Sequence, residues 1–194
     1  MKIGIFGGTF NPIHYGHLIN AQLLLEDFSL DRILFVPSKE PVHKEIGETI
    51  SGEDRYCMIQ YAIEGNSGFE VSRIELDRED PSYTIITVRY LQQNSPDDAF
   101  YLIIGMDSFN DFHTWKEYRA ILKRVPLIVI ERPSHQLKNK SIIDDADEIY
   151  FSNNPLIDIS SSRIRDYVKQ GRSIQYLVPP KVKQYIYEKG LFQQ

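Results

Sequence analysis

Short runs of apolar residues alternate along this chain with longer segments whose apolar positions recur every three or four residues. The short runs are typical of strands buried on both faces, and the longer segments are typical of amphipathic helices. The predicted strands are Ile3–Phe6, Ile33–Val36, Phe69–Leu76, Phe100–Ile104, Leu127–Ile130 and Ile149–Phe151. The predicted helices are Leu18–Phe28, Asp54–Glu64, Thr84–Gln93, Ser161–Gln170 and Lys181–Lys189, the last two ended by Gly171 and Gly190.

This alternation predicts an α/β fold with a doubly wound, mostly parallel sheet and helices on both of its faces. Right-handed crossovers then bring the loops that follow the strands to one edge, where such sheets bind ligands. With 194 residues, the chain is expected to form a single domain over residues 1–194, with C-terminal helices from about residue 160 onward. Two polar stretches, Lys39–Asp54 and Pro133–Asp147, are predicted to be surface loops.

Composition and charge exclude several classes of function. A hydrophobic content of 42% and a charged content of 25% are ordinary for a globular enzyme. The net charge of -5 argues against non-specific nucleic-acid binding, so we expect no nucleic-acid partner. No apolar run approaches the ~20 residues of a membrane helix, and no leader precedes the first strand, which predicts a cytoplasmic protein without a membrane partner. Cys57, the single cysteine, is predicted to be a buried core thiol rather than a nucleophile.

The segment Gly7–His17 is rich in glycine and histidine and lies between the first strand and the first helix. Such a junction binds phosphates through free backbone N–H groups and the positive end of the helix dipole. Gly7 and Gly8 allow close approach of a ligand and unusual backbone angles. His14 and His17 lie three residues apart and would share one face of the helix. The alternative is that the glycines only shape the turn and the histidines cap the helix, but the combination favours a phosphate site.

A second polar motif, Ile159–Arg165, opens a predicted helix near the C-terminus. Ser160 is a good N-cap residue for that helix. The hydroxyls, the free N–H groups and Arg165 could then surround one polyphosphate. Taken alone, the motif is also compatible with an ordinary capped helix carrying solvated arginines.

A basic stretch, Pro37–Lys44, follows the second predicted strand and therefore lies at the same sheet edge as the first turn. Its charge comes from Lys39, His43 and Lys44. A loop that reaches phosphates and a loop with solvated lysines are equally compatible with the pattern.

Three more features occur at predicted strand ends or helix starts. Gly105–Asp107 ends a strand with a carboxylate that could accept ribose hydroxyls, and Trp115 could stack on a flat ring, although tryptophan is more often a core residue. In Pro81–Thr87, Ser82 is a suitable N-cap for the helix that follows. Glu131–Pro133 places Arg132 directly after another strand.

The first motif, Gly-Gly-Thr-Phe-Asn-Pro-Ile-His followed by Tyr-Gly-His, resembles the nucleotidyltransferase superfamily that shares a His-x-Gly-His signature. Within it, the motifs in their order are similar to the bacterial nicotinate-nucleotide adenylyltransferase family, from Lys2 to about Phe192. The second motif resembles the superfamily signature Ile-Ser-x-Thr-x-x-Arg, with Ser162 where threonine is usual. Ile86 stands where the family carries an acid.

This resemblance implies a Rossmann-like nucleotidyltransferase fold that transfers the adenylyl group of ATP to nicotinate mononucleotide, giving deamido-NAD and pyrophosphate. It implies catalytic roles for His14, His17, Lys44 and Arg165. The implied ATP-binding residues are Gly7, Gly8, Thr9, Phe10, His14, His17, Gly105, Asp107, Ile159, Ser160, Ser162 and Arg165. The implied acceptor-binding residues are Thr84, Asp107, Trp115, Lys44 and Arg132. Because no carboxylate cluster accompanies these motifs, Mg²⁺ is expected to arrive with ATP, and no metal site built by the protein is predicted.

Two alternatives remain open at this point. The same fold could serve another acceptor, such as nicotinamide mononucleotide or phosphopantetheine, or transfer a cytidylyl group. Thr84 and Trp115 favour a pyridine ring, and the preference for its acid form rests on the resemblance. A non-catalytic ATP-binding regulator is the other alternative, and the presence of both His14 and His17 argues against it. The sequence does not determine the oligomeric state, and a homo-oligomer is one of the states that it allows.

Overall fold

Six parallel strands form a single sheet in the computed structural model, which describes residues 1–39, 50–131, 137–138 and 141–193 except the side chains of Ser141 and Asp144. The strands are β1 (Lys2–Gly8), β2 (Arg32–Pro37), β3 (Phe69–Val71), β4 (Ala99–Gly105), β5 (Leu127–Ile130) and β6 (Ile149–Phe151). Their order is β3-β2-β1-β4-β5-β6, and each neighbouring pair is parallel. The predicted doubly wound α/β fold is therefore confirmed, with its reversal of strand order at β1 and β4.

Helices connect these strands and cover the sheet. They are α1 (Tyr15–Asp27), α2 (Gly52–Ile63), α3 (Thr84–Asn94), α4 (Met106–Asn110), α5 (Tyr118–Leu122), α6 (Ser141–Asp144), α7 (Ser161–Lys169) and α8 (Pro180–Glu188). The sequence pattern predicted α1, α2, α3, α7 and α8, the five longest. It missed α4, α5 and α6 because helices of four or five residues are too short to show a helical period. Helix α6 lies within the stretch that was predicted to be a loop.

Several element boundaries differ from the prediction. Helix α1 begins at Tyr15 rather than Leu18, which places His17 inside its first turn. The prediction of a strand as far as Leu76 is wrong. The strand ends at Val71, and the chain then turns, with the Asp77 N–H donating to the Arg73 carbonyl. The predicted ends of α7 and α8 are confirmed, since each is followed by a glycine of left-handed φ (+67° for Gly171 and +62° for Gly190).

The apolar core lies on both faces of the sheet. On one face α1 and the C-terminal helices pack together, as shown by buried Leu24, Ile164 and Val182. On the other face Ile85 and Ile121 bring α3 and α5 against the sheet. Because α7 and α8 contribute to the same core as α1, they pack as part of the body of the fold.

The single cysteine does not lie in this core. Cys57 on α2 is half-buried, and its side chain lies beside Tyr185 of α8. The predicted core position is wrong because Arg55, Met58 and Ile59 occupy the buried face of α2. Among the described residues, no helix is both long enough and apolar enough to cross a membrane.

Candidate active site

The turn between β1 and α1 places two histidine rings in contact. His14 immediately precedes α1 and is 3% exposed, whereas His17 lies in the first turn of α1 and is half-buried. The rings stack with their centroids 3.7 Å apart, and the His14 backbone N–H donates to Nδ1 of His17 over 3.3 Å. A neutral His17 whose Nδ1 accepts must carry its proton on Nε2, which makes Nε2 a hydrogen-bond donor.

Close packing explains the small residues of this turn. A Cβ on Gly16 would lie 3.0 Å from two atoms of the His14 ring, and a Cβ on Gly8 would lie 3.1 Å from the Phe10 ring. Gly7 and Gly8 permit unusual backbone angles, but neither has a positive φ. Phe10 adopts the left-handed conformation instead, with φ +49°, and its ring packs edge-on against His17 at 5.1 Å.

Helix α7 begins next to this turn, so the glycine- and histidine-rich segment Gly7–His17 and the serine-containing motif Ile159–Arg165 meet. The Ser161 hydroxyl donates to the Pro12 carbonyl over 2.8 Å, and Nη1 of Arg165 donates to the Asn11 carbonyl over 3.0 Å. The Asn11–Pro12 peptide bond is cis. The predicted N-cap at Ser160 is confirmed, because its hydroxyl accepts the Arg163 N–H over 3.3 Å. Segments about 150 residues apart in sequence therefore form one structure at the carboxyl edge of the sheet.

A large cavity of about 570 Å³ opens on one side of the turn. Its volume is in the range of small-molecule sites. Apolar strand residues form one wall, among them Ile5, Leu102 and Ile104. Of the residues predicted to bind nucleotides, this cavity brings together Gly7, Gly8, Thr9, Thr84 and Trp115. Trp115 is half-buried and packs against Phe112, with ring centroids 4.8 Å apart and planes inclined by 45°.

Ser82 lines this cavity but does not cap α3. The residue that precedes α3 is Tyr83, and the Ser82 hydroxyl accepts the backbone N–H of Lys39 over 2.8 Å. The predicted N-cap role is therefore wrong, because that hydroxyl ties α3 to the end of β2. This contact connects two neighbouring loops of the sheet edge.

The sequence prediction missed a polar network in the wall of the large cavity. The Thr87 hydroxyl donates to Oε1 of Glu75 over 2.6 Å, and Nη2 of Arg78 donates to that hydroxyl over 3.1 Å. Glu75 and Thr87 are both buried. Thr87 lies three residues after Thr84 on one face of α3, a spacing that could have revealed it, whereas Glu75 has no local signal.

Ser38 and Lys116 also line the cavity and were also missed. Ser38 directly follows β2, the same kind of position that identified the first turn. The Lys116 ammonium lies 4.4 Å from the centroid of the Tyr83 ring, a cation–π contact beside the opening of α3. Among the residues that the structure describes, Lys116 and the buried Glu75 are the charged side chains of the cavity lining.

A much smaller cavity of about 20 Å³ lies on the other side of the turn. His14, Gly16, His17 and Ile159 line it, so the second motif again meets the first. Two buried amides fix this region, because Asn20 donates to the Gly16 carbonyl over 2.7 Å and Asn154 donates to Oδ1 of Asn20 over 2.9 Å.

Some predicted site residues lie apart from both cavities. Gly105 ends β4 and Asp107 lies in the first turn of α4, and neither lines either cavity. Ser162 is exposed at the start of α7, with its hydroxyl 3.3 Å from that of Ser160. Lys44 and Arg132 lie outside the described residues. Within the described ranges, no group of three histidine, cysteine or acidic side chains could hold a metal ion.

Comparison with known proteins identifies the family of this chain. The family model described as Cytidylyltransferase-like matches residues 5–167. A protein of Dictyoglomus thermophilum named "Probable nicotinate-nucleotide adenylyltransferase" is 44% identical over 99% of this chain and its own full length. A protein of the same name from Geobacillus thermodenitrificans is 41% identical over 98% of this chain and 86% of its own.

Solved structures show the same fold. The Plasmodium falciparum nicotinic acid mononucleotide adenylyltransferase complexed with NaAD superposes with a TM-score of 0.81 at 22% identity, over 98% of this chain and 97% of its own. The structure of that enzyme complexed with APC gives a TM-score of 0.77 at 21% identity, over 98% and 96%. With the sequence relatives of more than 40% identity over nearly the whole chain, these findings show that the chain belongs to the nicotinate-nucleotide adenylyltransferase family.

Proposed function

We infer that this protein transfers the adenylyl group of ATP to nicotinate mononucleotide, releasing pyrophosphate and forming deamido-NAD for NAD biosynthesis. One observation carries this conclusion. The turn that follows β1 has a large cavity on one side, and on its other side lies the histidine pair at the start of α1. A two-substrate transfer needs such neighbouring sites. The names of the relatives supply the identity of both substrates.

The triphosphate of ATP would bind where α1 and α7 begin. There the N-termini of both helices would offer backbone N–H groups and the positive ends of their dipoles to the triphosphate. His14, His17, Ser160, Ser162 and Arg165 would donate to its oxygens. Lys44 would add a charge, and Gly7, Gly8, Thr9 and Phe10 would let the nucleotide approach the backbone closely. Mg²⁺ would arrive on ATP and neutralise part of its charge.

Nicotinate mononucleotide would occupy the large cavity. Trp115 forms part of its wall and would stack on the pyridine ring. Thr84 is the first residue of α3, so the carboxylate of the ring would lie near the positive end of that helix. Asp107 and Arg132 would contact the ribose and the phosphate of a bound nucleotide, as the family resemblance implies.

The reaction needs positioning more than acid–base chemistry. An oxygen of the acceptor's 5′-phosphate attacks the α-phosphorus of ATP in line, while the bond from that phosphorus to the bridging oxygen of pyrophosphate breaks. No covalent intermediate on the enzyme is required, because the attacking phosphate is already an anion. Nε2 of His17 would donate to the α-phosphate as negative charge builds up there.

Pyrophosphate release with ATP and a panel of acceptors tests this function. We expect release with nicotinate mononucleotide, and less or none with nicotinamide mononucleotide, phosphopantetheine or ATP alone. Binding of ATP without release for any acceptor would instead support a regulatory protein. We also propose a cytoplasmic location without nucleic-acid or membrane partners, because the proposed substrates are small and water-soluble.

A further inference from the structure

Arg55 of α2 has a fully buried side chain, and its guanidinium contacts three separate segments. Nη1 donates to the Thr9 carbonyl over 2.9 Å and Nη2 donates to the Lys39 carbonyl over 3.0 Å. Nε donates to the Ile50 carbonyl over 3.4 Å. One side chain thus joins the turn after β1, the end of β2 and the start of α2.

The burial of this guanidinium is unusual because its described partners are all carbonyl oxygens. In the part of the chain that the structure describes, no carboxylate forms an ion pair with Arg55. Burial lowers the pKa of the guanidinium, although arginine stays charged at neutral pH. Burying an unpaired charge is costly, and apolar side chains often stabilise such positions better. The advantage of arginine here is its rigid fork of donors, which fixes several acceptors at once.

The contact with Thr9 controls a peptide group of the nucleotide-binding turn. In a planar trans peptide the carbonyl and the following N–H point in opposite directions. Because the Thr9 carbonyl points to Arg55, the N–H of Phe10 points away from α2. Among the described residues this N–H has no backbone acceptor. In the proposed complex this N–H would donate to an oxygen of the bound nucleotide.

The contact with Lys39 extends this control to the wall of the large cavity. Lys39 follows Ser38, which lines the cavity, and its own N–H donates to Ser82, which also lines it. Thr9 itself is part of the same lining. A single guanidinium therefore fixes backbone on both the nucleotide turn and the neighbouring wall.

We propose that Arg55 is a positioning residue for adenylyl transfer, which holds the Thr9–Phe10 peptide and the Lys39 backbone in the geometry that receives the substrates. This inference rests on the proposed function. Arg55→Lys keeps the charge but cannot reach three carbonyls, and Arg55→Gln removes the charge as well. For both variants we expect kcat/KM for ATP to fall about 10- to 100-fold, the usual effect of a small displacement of reacting groups. The dissociation constant of ATP should rise in parallel.

Met58→Ala is the matched control, because Met58 is fully buried on the same helix. It should lower the melting temperature at least as much as Arg55→Lys does, yet keep the wild-type kcat/KM. Each assay is run below the melting transition of the variant. Equal ATP dissociation constants in wild type and Arg55→Lys would overturn the inference, as would an equal loss of kcat/KM in Met58→Ala. Failure of both Arg55 variants to fold would also overturn it, because the role would then be structural.

The two proposals can fail separately. A wild-type protein that releases no pyrophosphate with any acceptor contradicts the proposed function, while the ATP dissociation constants still test Arg55. An active wild type with unchanged kinetics in Arg55→Lys contradicts only the positioning role.

Discussion

Replacing His17 by alanine removes the side chain that is proposed to donate to the α-phosphate. Loss of one donor that acts in the transition state typically costs about 10²- to 10³-fold in rate, so we expect kcat to fall by that factor. Stability should change less. The long contact to the His14 N–H, 3.3 Å, places the lost capping contribution at the lower end of about 0.5–2 kcal/mol. The loss of ring contacts with Phe6 and Phe10 adds about 1 kcal/mol.

Together these losses come to about 1.5 kcal/mol, which lowers the melting temperature of a chain of this size by roughly 3–6 °C. Pyrophosphate release is therefore measured at a temperature where the variant is still fully folded, as judged by its melting curve. His113→Ala is the control, because His113 is exposed and lines neither cavity. It should keep wild-type turnover. A folded His17→Ala variant with near-normal kcat would refute the proposed mechanism.

Three further changes test other parts of the site. Trp115→Ala should raise KM for nicotinate mononucleotide about tenfold or more, because a stacked ring contributes about 1–3 kcal/mol. The effect on KM for ATP should be smaller, and equal shifts in both constants would argue against stacking. Thr87→Val leaves the buried Glu75 carboxylate without its hydroxyl donor, so the free energy of unfolding should fall by about 1–3 kcal/mol. Denaturant titration measures this change, and an unchanged free energy would contradict the proposed role of the network. Gly16→Ala places a Cβ 3.0 Å from the His14 ring, so turnover should fall about tenfold or more. Its melting temperature should change little, because the higher helix propensity of alanine, about 1 kcal/mol, offsets the cost of displacing the His14 ring. Wild-type turnover in this variant would show that displacement of the ring does not affect catalysis.

The fold and the centre of the site follow from local patterns. Continuous apolar runs such as Ile33–Val36 identify buried parallel strands, and the glycine and serine motifs mark helix starts. The parallel topology then brings strand ends to one edge, where the structure has a cavity lined by both Gly7 and Trp115. The residue types at the start of α7 indicated a polar site near the turn. They did not reveal that Ser161 and Arg165 bind backbone carbonyls of that turn.

The remaining contacts have no local signal because they depend on partners far away in the sequence. Ser82 has the sequence position of a helix cap, yet its partner is Lys39, 43 residues earlier. The buried carboxylate of Glu75 accepts the Thr87 hydroxyl, which in turn accepts from Arg78, and these three residues meet only in the folded chain. A charged residue such as Arg55 in an amphipathic helix is ordinarily assigned to the solvent face, and its three carbonyl acceptors come together only when the loops are assembled.

The carbonyl groups of the turn are bound by side chains of other elements. Within Thr9–Pro12, the carbonyls of Thr9, Asn11 and Pro12 each accept a side-chain donor, from Arg55, Arg165 and Ser161 respectively. The donors come from α2 and α7, two helices that pack into the same core layer, so the turn is held from outside rather than by its own residues. Because reacting phosphates must approach within about 3–3.5 Å, a turn held in this way would fix the distance between two substrates that are proposed to bind on its two sides. Arg165 would then have two functions, since the guanidinium that is proposed to bind phosphate also donates to the Asn11 carbonyl. Removal of the Ser161 hydroxyl alone would test the structural function separately from the chemical one.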